Sequence, residues 1–136
     1  MTTAGYSGTP LAKKLRIKDN YACHFLHIPE YYFHLFESMP NIQTIENPAP
    51  ESIDFAHVFL MSQDDMKTLI PSVKSYLKKD APLWLSWPKK AAKLNTDLDG
   101  NVIRSYGLGI GLVDVKVAAI DDTWSGLKFM YRIKDR

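Results

Sequence analysis

The chain has 136 residues, 46% of them hydrophobic and 24% charged, with a formal charge of +2. That length sets a single domain, 1–136, and folding would bury roughly two-thirds of the chain's surface, enough for a core without disulfides or metals. The composition excludes a disordered or fibrous chain, and the net charge is too small to argue for bulk nucleic-acid or membrane binding.

Cys23, the one cysteine, excludes an internal disulfide and fits a reducing compartment. Nowhere does an apolar run reach the ~18 residues that would span a bilayer. The segment from Met1 to Tyr6 lacks the basic start and apolar stretch of a secretory signal. A cytoplasmic soluble protein is expected.

In chain order, Thr9-Pro10 opens a short helix over about residues 9–16, with Ser7 or Thr9 capping and Pro10 in the first helical position, where no amide is wasted. Leu11 and Leu15 share one face of it. Tyr21 to Ile28 is apolar without helical period and reads as a buried strand. Pro29-Glu30 opens a helix carrying Tyr31, Tyr32, Phe33, Leu35 and Phe36, and Asn41 to Ile45 alternates as a strand. Asn47-Pro48-Ala49-Pro50 is a loop.

Ile53 to Met61 is a second long strand. Ser62 heads an amphipathic helix with Met66, Leu69, Ile70, Val73 and Leu77 at helical spacing, and Pro71 inside it predicts a kink or fresh start. Pro82 to Trp87 is a strand stopped by Pro88. Thr96-Asp97 caps a helix that ends at Gly107, Gly109 and Gly111. Leu112 to Ile120 and Trp124 to Tyr131 are the last strands, with Asp121-Asp122 turning between them.

Strands interleaved with helices imply a mostly parallel sheet covered on both faces, and the short final link demands an antiparallel hairpin. The expected fold is α/β, a three-layer α/β/α sandwich of about six strands. Such sheets bind ligands outside the carboxyl ends of their strands. Ser7, Gly8 and Thr9 before the first helix, Lys89 and Lys90 after the fourth strand, and Thr123, Trp124 and Ser125 at the hairpin would converge there. Small hydroxyl residues and two lysines suit an anion, phosphate- or nucleotide-like, while Trp87 and Trp124 offer flat surface to a ring. The plainer account makes Thr9 a cap, the lysines solvated and both tryptophans core.

The segments Ala4 to Leu15, Leu83 to Lys90, Leu112 to Val117 and Thr123 to Phe129 resemble an uncharacterised bacterial family of short cytoplasmic proteins, with Arg16 standing where a glycine is expected. That resemblance implies no activity. A looser similarity is to the class I methyltransferase fold, whose sheet also ends in an antiparallel hairpin. It implies the strand order 2-1-3-4-6-5, with one helix–strand unit missing between Ile45 and Ile53, and it sets Glu46 where such enzymes hold a ribose. The glycines that let backbone approach S-adenosylmethionine are replaced by His27-Ile28-Pro29-Glu30-Tyr31, so no conventional cofactor binding is expected.

Other signals are weaker. His24, His27, His34 and His57 show no metal-ligand spacing. Asp64-Asp65 and Asp121-Asp122 have structural reasons as helix-start and turn residues. A non-catalytic binding or regulatory module is the first expectation, with no cofactor, no metal, no specific nucleic-acid partner and no membrane association. An alternative is a small transferase with an atypical donor loop, using Asp64, Asp122 or Glu30 as base. A third is a homodimer or protein-interaction module using the aromatic run at Tyr31-Tyr32-Phe33.

Overall fold

A computed structural model describes residues 9–136. Six strands form one sheet: β1 (Ala22–Leu26), β2 (Gln43–Thr44), β3 (Phe55–Phe59), β4 (Leu83–Pro88), β5 (Leu112–Ala119) and β6 (Trp124–Tyr131). Their order is β2-β1-β3-β4-β6-β5, as the methyltransferase similarity implied. β1 to β4 pair in parallel, and β6 runs antiparallel to both β4 and β5.

β3 and β4 sit mid-sheet, and every residue of both is buried. A continuous apolar run with no polar alternation is the signature of a strand covered on both sides. On one side Ala56, Val58, Leu83 and Leu85 pack with Met66, Ile70 and Val73 of helix α2 (Gln63–Tyr76) and Ile103 of helix α3 (Gly100–Gly109). On the other, Phe55, Phe59 and Trp84 pack with Leu11 and Leu15 of the short helix α1 (Leu11–Leu15) and with Tyr32, Leu35 and Phe36. Trp84 joins strand to helix by donating its indole N–H to Leu15 O at 3.0 Å.

Local chemistry differs from the sequence expectations at four places. The aromatic run is not an α-helix: only Tyr32–Leu35 turns, as a single 3₁₀ element, and Phe36 is already extended. Bulky rings lose rotamer freedom in a helix, and this loop gains more by burying Tyr32, Leu35 and Phe36 on the sheet. Pro10 is the residue before α1 rather than its first, and no side chain caps that helix. Asp99, not Thr96, caps α3, accepting from Val102 N at 2.9 Å; Thr96 instead donates to Met61 O. α2 runs on through Pro71, whose exposed position leaves the Lys67 carbonyl, deprived of its amide partner, on the solvent side.

Candidate functional site

The carboxyl ends of β1 to β4 and the β5–β6 turn do come together. Lys89 N donates to Thr123 O at 2.8 Å, tying the end of β4 to that turn. Asp121 is 2% exposed and organises the turn, its Oδ1 accepting from the amides of Thr123 and Trp124 at 2.8 Å each. The Tyr31 phenol reaches the same turn from the loop after β1; burial and its hydrogen bond to Asp121 push its pKa up to about 12.

The two tryptophans do not face one ligand. Trp124 lies opposite Pro88, and Ser125 opposite Trp87, so alternation puts the rings on opposite faces of the sheet. Trp87 is buried in the α2–α3 core, while Trp124 packs edge-on against Phe59 on the α1 side, with ring centroids 5.0 Å apart. Lys89 and Lys90 line a cleft of about 390 Å³ that also holds Thr96, Asp97 and Asp99. Two carboxylates there oppose the lysines, so this cleft has mixed charge. Ser7 and Gly8 lie outside the described residues.

Thr9 lines a different and larger groove, of about 670 Å³, between α1 and β5. Among the described residues its charged lining is Lys13, Lys14, Arg16, Lys18 and Lys116, with no carboxylate. Lys128 of β6 stands close by: burial, then the charges of Arg16 and Lys116, hold its pKa below the ordinary lysine value. Lys14 is lowered in the same way, by burial and then by Lys116 and Lys89. Each is only 8% exposed. Cations gathered on a partly desolvated surface without opposite charge repel one another, and an anion would relieve that cost. Sequence reasoning missed this groove because Lys116 lies a hundred positions from α1. The recurring Lys and Arg between 13 and 18 were the available signal.

A buried polar cluster was also missed. His57 Nδ1 lies 2.8 Å from the Tyr32 hydroxyl and its Nε2 2.8 Å from Ser86 Oγ. All three residues are fully buried, and burial lowers the His57 pKa to about 3, so the ring is neutral. Serine beside histidine resembles a nucleophile and its base, but full burial denies a substrate access. The cluster ties β3, β4 and the aromatic loop together. Cys23 takes no part in it; burial, then the charge of Asp54, pushes its thiol up to about 12, leaving it unreactive.

The loop after β1 differs from a cofactor cradle. His27 takes a left-handed φ of 55°, a conformation that glycine adopts most easily, and Pro29 has no amide to offer. Glu46, beyond β2, lines a separate cavity of about 260 Å³ with His24, Leu26, Ser72 and Tyr76. There His24 Nδ1–H donates to Ile45 O at 2.7 Å. Among the described residues no three His, Cys, Asp or Glu side chains gather as a metal site would require, and no helix is long and apolar enough to cross a membrane.

No family model and no curated protein matches the sequence. The resemblance to an uncharacterised bacterial family finds no support in these comparisons. Solved structures do match. A 30S ribosomal A1408 methyltransferase from an uncultured bacterium superposes with a TM-score of 0.54 at 10% identity, covering 96% of this chain and 99% of that one. A SAM dependent methyltransferase from Aquifex aeolicus gives 0.52 at 12% identity, over 90% and 88%. The Methanococcus jannaschii fibrillarin pre-rRNA processing protein gives 0.52 at 13%, over 85% and 68%. The fold is methyltransferase-like. At these identities the likeness speaks for architecture and for no activity.

Proposed function

We propose that this protein is an anion-binding module on a methyltransferase-like scaffold, acting by binding rather than by methyl transfer. The observation that carries the reading is the groove between α1 and β5, where Lys13, Lys14, Arg16, Lys18 and Lys116 line a cavity with no carboxylate among the described residues of its lining. The reading keeps the phosphate- or nucleotide-like ligand expected from the sequence. Its centre moves from Lys89 and Lys90, which Asp97 and Asp99 oppose, to the flank of α1. Thr9 and the nearby Lys89 stay at its border.

The test is thermal unfolding of the purified chain with inorganic phosphate, sugar phosphates, nucleotides, S-adenosylmethionine and S-adenosylhomocysteine. A ligand at about 100 times its dissociation constant adds roughly 2.7 kcal/mol, a readily measured rise in midpoint. The rise should vanish in Lys13→Gln/Lys116→Gln and persist in Lys89→Ala/Lys90→Ala. The reverse pattern would return the site to the end of β4. No shift with any anion would defeat the reading.

A second reading is a small methyltransferase with an atypical donor loop, and the shared fold favours it. Glu46 and the exposed Glu30, Asp64 and Asp122 are then the available carboxylates. It expects S-adenosylmethionine to raise the midpoint and S-adenosylhomocysteine to accumulate with an acceptor present. Stabilisation by phosphates alone would count against it.

A further inference from the structure

The groove between α1 and β5 offers its ligand charge and little else. Besides the five cations, its lining among the described residues is Thr9, Pro10, Ala12, Ile17 and Pro40. None of these carries an aromatic ring on which a nucleobase would stack, and none carries an amide or carboxylate side chain to read a base edge. Two aromatic side chains near the carboxyl edge, Trp124 and Tyr31, are engaged with Phe59 and with the Asp121 turn. A volume of about 670 Å³ is ample for a small ligand of several heavy groups.

The cations are of two kinds. Arg16 presents a planar fork suited to two oxygens of one phosphate, whereas the lysines act as point charges that suit any oxyanion. Lys14 is set in place by its burial and by a 3.4 Å contact from its ammonium to Ala119 O, while Lys13, Arg16, Lys18 and Lys116 are exposed. One buried cation with four exposed ones in the same lining matches an anion with charge at several points better than it matches a single carboxylate or phosphate.

We infer that the groove takes a compact polyanion bearing several phosphate groups and recognises it through those phosphates alone, without reading a base. This rests on the anion-binding reading above and narrows its ligand class. The probes are inorganic tripolyphosphate, adenosine triphosphate, orthophosphate and an oligouridylate, titrated calorimetrically into the full chain.

Tripolyphosphate and adenosine triphosphate should bind within about threefold of each other, and each about tenfold or more tighter than orthophosphate. Both should weaken about tenfold or more in Lys13→Gln/Lys116→Gln, two exposed positions whose replacement should leave the far-ultraviolet circular dichroism unchanged. Should that variant lose its fold, Lys116→Gln alone carries the same comparison. Adenosine triphosphate or the oligouridylate binding more than about tenfold tighter than tripolyphosphate would overturn the phosphate-only inference while leaving anion binding intact. Failure of every probe to bind would overturn both, and unchanged binding in the variants would overturn the inference and the groove as its site while leaving anion binding intact.

Discussion

Arg16 shows how one side chain can serve the surface at the expense of the backbone. It ends α1 in the left-handed conformation, with φ of 64°, and its amide donates to Lys13 O. A residue with a Cβ is strained there by about 1 kcal/mol, and glycine is the usual occupant of such a helix end. The arginine here is therefore a backbone cost carried by a cation that lines the groove. Arg16→Gly should raise the unfolding midpoint, by up to about 1 kcal/mol of stability, while weakening tripolyphosphate binding. A midpoint that falls would show that the guanidinium contributes more to the fold than the strained backbone costs.

His57 acts in the opposite sense, as a residue wholly given to the interior. Its pKa of about 3 lies below the ordinary histidine value of 6.5, so below pH 6.5 the unfolded chain binds a proton that the folded chain refuses. The contribution of the neutral ring is therefore complete above pH 6.5 and is lost progressively as pH falls toward about 3. Denaturant unfolding between pH 7 and 4 should show that decline, and His57→Gln should flatten it. A wild-type profile no steeper than that of the variant would contradict the assignment. Truncation to His57→Ala should cost about 2–4 kcal/mol, because Tyr32 and Ser86 would lose their buried partner.

At the scale of elements, α3 is placed by Gly107, which faces β6. A Cβ built on Gly107 would overlap the ring of Phe129, which is fully buried. The glycine is thus a matter of close approach between helix and sheet, and its place inside α3 rather than beyond it follows. Gly107→Ala should destabilise by about 1–3 kcal/mol although alanine favours helices, since the rigid core ring has nowhere to move. Chemical denaturation measures it; a neutral or stabilising result would mean that α3 can lift from the sheet at little cost. The aromatic loop teaches the complementary lesson. Tyr32 is buried while Tyr31 and Phe33 are 39% and 44% exposed, so neighbouring rings part company according to contacts that lie on other strands. Tyr32 follows His57, and Tyr31 follows the turn at Asp121.

Across the whole molecule a net charge of +2 hides an uneven distribution. Repulsion among Lys14, Arg16, Lys116 and Lys128 works against folding and is softened by salt. The unfolding midpoint should rise as ionic strength is raised from low values with a weakly coordinating salt. Lys116→Gln should start higher and respond less. Equal salt responses in the two proteins would mean that the cluster carries no appreciable strain.

The elements with a strong internal pattern were legible in one dimension. Burial of β3 and β4 on both faces makes their sequences apolar throughout, α2 carries its stripe at helical spacing, and the short Asp121-Asp122 link forces a hairpin because no crossover fits in it. These local constraints determined the fold class, and the strand order came through the resemblance to a known scaffold. The proposed anion groove was legible only in part. Lys89 and Thr123 do meet, as the shared sheet edge required, but the carboxylates that share a cleft with Lys89 and Lys90 come from the segment before α3, and the larger gathering of cations lies on and around α1 with Lys116 of β5. Neither the partner of His57 nor the face taken by each tryptophan could be read locally, since both depend on strand register and on contacts between distant segments. Hydrophobic periodicity is a property of one segment and survives in the sequence. Electrostatic fields and buried hydrogen bonds are properties of distances between segments, and only the tertiary structure decides those.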